Sequence, residues 1–257
     1  MFLTCKLMKV SSDTEARVEL FKILTESSVY PYSSYSTLDS DKKEILSLYI
    51  KEVNPTEIGK KLEVYFETIL QFKEISLEEK KLVQVARKVA FGPLYAHIFE
   101  KSPLDDFIGI LAGNRISKKL ANILSILVGK RIGVFKLPLR EAKIPFHLKQ
   151  EDIRKIQDFQ DVKEIIVEDI IDPYVEWAWV KGSSLDQSDE FKKFVEGPSA
   201  GKIKLLAVHF MDRDYYIYED GRMFTRQAKA TSGHQLNSEI SMFFEIGKRL
   251  HMVGALI

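Results

Sequence analysis

Residues 54–69 read NPTEIGKKLEVYFETI, and the assignment of this stretch decides the fold class of the first half of the chain. Asn54 followed by Pro55 has the form of a helix cap with proline at the first helical position. Ile58, Leu62, Tyr65, Phe66 and Ile69 then recur at helical spacing and share one face. The spacing predicts a helix, and similar signals stand on both sides of it. Ser12 with Glu15 makes a capping box ahead of Val18, Phe21 and Leu24, and Asp41 with Glu44 makes another ahead of Ile45, Leu48 and Tyr49. Ser76 with Glu79 opens a fourth predicted helix that runs towards Gly92 and Pro93. Ser102, Pro103 and Asp105 open a fifth, closed by Gly113 and Asn114. A sixth runs from Ile116 to Val128, with Leu120, Ile123, Leu124 and Leu127 on its apolar face and Gly129 as its stop.

Beyond Gly129 the pattern changes. Ile132 to Leu137 alternates and is rich in β-formers, and Pro138 and Pro145 break any helical period. A short helix is expected from Glu151 to Phe159. Strands are expected at Glu164 to Ile171, Tyr174 to Val180, Lys202 to Phe210, Tyr215 to Tyr218 and Arg222 to Arg226. Turn signals at Met211 to Tyr215 and at Asp220-Gly221 make the last three an antiparallel meander. Leu236, Ile240, Phe243, Phe244, Gly247 and Leu250 mark a final amphipathic helix. The expected fold class is therefore α+β: an N-terminal all-helical region, residues 1–130, followed by an antiparallel β-sheet region with flanking helices, residues 131–257.

Composition narrows the function classes. The 257 residues are 45% hydrophobic and 29% charged, with 38 Lys plus Arg against 37 Asp plus Glu, which is the balance of a folded globular chain. A single cysteine excludes a disulfide scaffold. The longest apolar runs, such as Leu120 to Val128, are too short for the roughly 20 residues of a membrane-spanning helix. Lys6 and Lys9 interrupt the apolar run that a signal peptide would need, so a cytoplasmic location is expected and no membrane partner. Only four Asn and eight Gln stand beside abundant Lys, Glu and Ile, a bias that resembles the proteins of heat-loving organisms.

A near-zero net charge conceals a local asymmetry. From Phe107 to Arg140 there is no acidic residue, while Arg115, Lys118, Lys119, Lys130, Arg131, Lys136 and Arg140 supply seven positive charges. From Glu151 to Glu196 thirteen acidic residues face six basic ones. The two predicted helices around the Gly113-Asn114 turn, followed by a short strand, have the order of a helix-turn-helix with a wing. Its second helix would offer Arg115, Lys118, Lys119 and Asn122 to a nucleic acid, with Lys130 and Arg131 at the far end. The leading expectation is a nucleic-acid-binding accessory protein whose partner is DNA or RNA. A protein interaction module, or a subunit of a larger assembly, is the first alternative. The second is a metal-dependent nuclease or phosphotransferase using Glu164, Glu168, Asp169 and Asp172, with Glu176 nearby, because hard cations take oxygen ligands and bridge phosphate.

Signatures of other chemistries are missing from the sequence. There is no His-x-x-x-His or Cys-x-x-Cys pair, no Gly-x-Ser-x-Gly turn, no Gly-Lys followed by Ser or Thr, and no Gly-x-Gly-x-x-Gly. No cofactor or metal site is expected, and whether the chain is an enzyme stays open. His209, near Asp212 and Asp214, reads as a satisfied strand histidine. Tyr30, Tyr32 and Tyr35 read as loop tyrosines anchored on the core. Trp177 and Trp179 share a strand face and are expected to cover the sheet. Asn237, Ile240, Phe243 and Phe244 are similar over eight residues to the peptide with which replication and repair proteins dock on a sliding clamp, although Asn stands where Gln is usual. The same residues are spaced to be the buried face of the last helix.

Overall fold

Side chains along residues 45–50, 61–68 and 94–96 alternate between buried and more exposed, with the period of strands and not of helices. Leu46, Leu48 and Ile50, then Leu62, Val64 and Phe66, then Leu94, Ala96 and Ile98 are buried, and the residues between them point the other way. The computed structural model describes residues 3–35, 43–76, 80–134, 136–143, 159–195, 197–198, 200–226, 233–254 and 256.

In chain order the strands are β1 (Leu3–Val10), β2 (Val29–Tyr35), β3 (Lys43–Thr56), β4 (Gly59–Ser76), β5 (Lys81–Phe99), β6 (Phe107–Leu111), β7 (Leu139–Glu141), β8 (Phe159–Glu168), β9 (Trp177–Lys181), β10 (Lys202–Phe210), β11 (Arg213–Tyr218) and β12 (Arg222–Thr225). The helices are α1 (Thr14–Thr25), α2 (Asn114–Ile132), α3 (Asp189–Val195) and α4 (Gly233–Met252). All strands join one sheet in the order β2-β3-β4-β5-β6-β1-β12-β11-β10-β8-β9, with β7 beside β1. Every pairing is antiparallel.

Two cores lie on opposite faces of this sheet, and β1 contributes to both. Cys5 and Leu7 point into the core that α4 covers with Leu236, Ile240, Phe243, Phe244 and Leu250. Met8 and Val10 point into the core that α1 and α2 cover with Leu20, Ile23, Leu24, Leu120, Ile123, Leu124 and Leu127. Complete burial pushes the Cys5 thiol up to about 12, so it packs as an apolar group.

The expected N-terminal all-helical region is replaced by strands. Only the first and sixth predicted helices form, as α1 and α2. The predicted helices at 54–69 and after Ser76 are the β3–β4 and β4–β5 hairpins, and the one from Ser102 to Gly113 is a turn followed by β6. Gly59 shows why the first of these fails. Its φ of +148° is accessible only to glycine, and a Cβ there would strike the carbonyl oxygen of Ile98 on β5. Asp41, Glu79 and the expected helix from Glu151 up to residue 158 lie outside the described residues, and Phe159 opens β8. In the second half the β10-β11-β12 meander and the final helix form as the sequence indicates. The expected strand from Ile132 to Leu137 does not form over its described residues: Ile132 ends α2, and β7 starts only at Leu139.

Candidate functional site

Helix α2 carries all six candidate nucleic-acid-binding residues. It starts after Gly113 without a side-chain cap, has no acid in its first turn, and ends at Gly133, which adopts the left-handed conformation at φ 72°. Lys130 and Arg131 in the last turn complement the helix dipole. Its buried side holds the aliphatic stripe together with Ser117 and Ser125. The Ser125 hydroxyl donates to the Ala121 carbonyl at 2.8 Å, so this polar group enters the core satisfied.

The structure divides the six candidate residues into two groups. Arg115, Lys118 and Asn122 are exposed near the helix start, and Lys119 is half-buried beside them. Burial, and secondarily the charge of Arg115, lowers the Lys119 pKa. Lys130 and Arg131 sit roughly 18 Å further along the axis, by a rise of about 1.5 Å per residue. Arg131 is engaged there: it pairs with Glu19 at 3.2 Å and lies 5.4 Å from the ring centre of Tyr30. Tyr30 and Tyr32 are buried on the edge strand β2, not held in a loop. Arg115, Lys119 and Lys130 have no carboxylate within 4 Å among the described residues.

Beside α2 lies a groove of about 1100 Å³, lined by Lys118 and Asn122 and, from β1, β7 and their extensions, by Lys9, Ser11, Arg140 and Lys143. Lys9, Arg140 and Lys143 have no carboxylate within 4 Å among the described residues. Lys118 pairs with Glu141 at 3.0 Å. Glu141 also reaches the fully buried Lys6 of β1, at 3.4 Å. The Lys6 ammonium is held from the other side by Asp220, through its carboxylate at 3.1 Å and its carbonyl at 2.5 Å. This network ties β7 to β1 and, through Glu141, reaches the groove lining. Arg140 belongs to the acid-free basic stretch but not to the six candidate residues, and Lys9 and Lys143 carry no signal in the sequence, because the topology brings the three together from separated segments. Arg140 and Lys9 are paired across β1 and β7, a register that no local motif announces.

Among the described residues, no ion pair joins the acid-free stretch to the acidic one. Arg131 and Lys136 use carboxylates of α1 and its cap, Glu19 and Asp13. The acidic stretch supplies β8 and β9 at the far end of the sheet. There Glu168 and Asp169 pair with Lys204 and Lys202, and Glu164 accepts the Trp179 indole N–H at 2.9 Å. No group of three or more His, Cys, Asp or Glu side chains stands together to hold a metal among the described residues.

A second cavity, of about 870 Å³, lies between the β3–β4 turn, the β10–β11 turn and α4. His97, which no sequence motif marks, lines it. Its Nε2 is 2.8 Å from the Thr56 hydroxyl, and burial, with a smaller contribution from Lys61, lowers its pKa to about 4. Arg213 at the same cavity is neutralised by Glu239 at 2.6 Å. Ile240, Phe243 and Phe244, the residues similar to a clamp-docking peptide, are buried in the core and are not available to a partner.

No protein family matches this chain, and no curated protein matches its sequence. No helix among the described residues is long and apolar enough to cross a membrane.

Proposed function

We propose that the chain is a nucleic-acid-binding accessory protein, and that DNA or RNA phosphates lie along the groove beside α2. The observation that carries this reading is the set of cations without carboxylate partners: Lys9, Arg140 and Lys143 along the groove, with Arg115 and Lys119 at the adjoining start of α2. The two carboxylates of the groove lining, Glu141 and Asp106, are themselves paired with Lys118 and Arg17, which leaves Lys9, Arg140 and Lys143 to replace the counterions of a phosphate backbone. Asn122 and Ser11 add neutral hydrogen-bonding groups along the same path. Strand β6 precedes α2, so this reading uses one helix and the β1–β7 pair in the middle of the sheet, and no helix-turn-helix. A cytoplasmic location belongs to the same proposal and accords with a chain whose one cysteine is a buried free thiol.

Fluorescence anisotropy with a labelled duplex and a labelled single strand, over a salt series, tests it. Binding should weaken steeply as salt rises, and Arg140→Ala with Lys143→Ala should reduce the log–log salt slope by about two. Absence of binding at low salt, or an unchanged slope in the double variant, rejects the proposal.

A further inference from the structure

Strand β9 ends the sheet, and its outer edge meets no other described strand. Natural edge strands are usually blunted or covered, because a free row of backbone N–H and C=O groups is a template for another strand. Here α3 packs on the α4-core side of β9 through Phe191 and Phe194, and exposed apolar side chains stand on the other face and in the loop before it. Trp177 and Trp179 are 60% and 61% exposed, and in the loop before them Ile171 and Tyr174 reach 73% and 94%. The two indoles stand on the sheet face opposite the α4 core, because Ala178 and Val180 take the inward positions. Trp179 is held in place by its hydrogen bond to Glu164. The tryptophans expected to cover the sheet are therefore presented outward.

The carboxylates around them fall into two sets. Glu168, Asp169 and Asp189 pair with Lys204, Lys202 and Lys192. Asp172 and Glu176, which flank Tyr174 and Trp177, have no cation within 4 Å among the described residues.

We infer that β9 is a docking edge for an extended basic peptide, which adds to the sheet as one more antiparallel or parallel strand. Backbone hydrogen bonds along the free edge supply affinity, as in other strand additions. The side chains on one face of an added strand recur every second residue, in step with Trp177 and Trp179. Arginines or lysines at those positions stack on the indoles and meet Asp172 and Glu176. A nucleic acid is the weaker occupant for this surface, since its phosphates would meet uncompensated carboxylates. The inference is independent of the proposed phosphate groove.

Trp177 and Trp179 are the only tryptophans in the chain, so intrinsic emission reports on this edge directly. The probe is a synthetic peptide alternating arginine with threonine, and the control alternates glutamate with threonine. The arginine peptide should shift the emission saturably, and added salt should weaken the effect. Asp172→Lys with Glu176→Lys should weaken binding about tenfold or more while the far-ultraviolet circular dichroism is unchanged. The inference is overturned by any of three results. One is no saturable shift with the arginine peptide, and another is an equal response to the glutamate peptide or to a single-stranded oligonucleotide. The third is an emission shift produced by raising the protein concentration alone, which would mean that a second copy occupies the edge.

Discussion

Replacing Lys6 with methionine tests the structure where burial and charge are most tightly joined. The side chain is fully buried on β1, and its ammonium is the shared cation of Asp220 and Glu141. Methionine keeps the aliphatic stem in place and removes the charge. Taking one partner from a buried ion pair costs roughly 3–5 kcal/mol, because the remaining charge is left uncompensated. Two features move the expectation to the lower end of that range. The Asp220 and Glu141 side chains retain 25% and 35% of their exposure, and Glu141 keeps Lys118. A loss of about 3 kcal/mol follows, equivalent to a fall in melting temperature of about 6–12 °C for a chain of this size. Lys6→Ala should cost about 2 kcal/mol more, since it also empties the space of three buried methylenes. Thermal and urea unfolding at neutral pH measure both variants. In an Asp220→Asn background the methionine substitution should cost less, and the difference is the coupling energy of the pair. A melting temperature within about 2 °C of the unaltered protein, or a cycle without coupling, would refute the assigned role of Lys6.

Two further outcomes follow from the same physics. The folded-state pKa of His97 is lowered from 6.5 to about 4, so the unfolded chain binds the extra proton first. Its contribution is complete above pH 6.5 and is lost as pH falls towards 4, amounting to about 3 kcal/mol in all. His97→Gln should flatten this part of the stability profile in melts taken across that window, and an identical profile in the variant would exclude His97 as its source. Gly59→Ala should destabilise by about 2 kcal/mol or more, since it forces a side chain into a glycine-only conformation against the Ile98 carbonyl. Urea denaturation reads this, and an unchanged midpoint would contradict the described β3–β4 turn.

The second half of the chain was largely legible in the sequence, and the first half was not. The β10-β11-β12 meander is written in short alternating runs separated by Asp220-Gly221, so local periodicity and turn chemistry agree. In the first half they conflict. Ile58, Leu62, Phe66 and Ile69 fit a helical face, yet Leu62, Val64 and Phe66 fit a strand equally well, with Glu63, Tyr65 and Glu67 opposite. Capping boxes favour helix, although they require only two residues three apart, a frequent coincidence in a chain with 29% charged residues. The aromatic and β-branched content of Val64-Tyr65-Phe66 and the glycine at position 59 were the better signals. At the site, Lys118 and Asn122 were legible because they share a helix face. Lys9, Arg140 and Lys143 were not, because their proximity arises only when β7 pairs with β1.

Strand β1 acts as a party wall. With Cys5 and Leu7 on one side and Met8 and Val10 on the other, its removal would unroof two hydrophobic interiors at once. The Phe99 ring of the first half also lies 5.3 Å from Phe244 of α4, so the final helix is bolted across the same wall. Heat or denaturant that loosens either interior must therefore loosen its neighbour, and the chain should melt as one unit in a calorimeter.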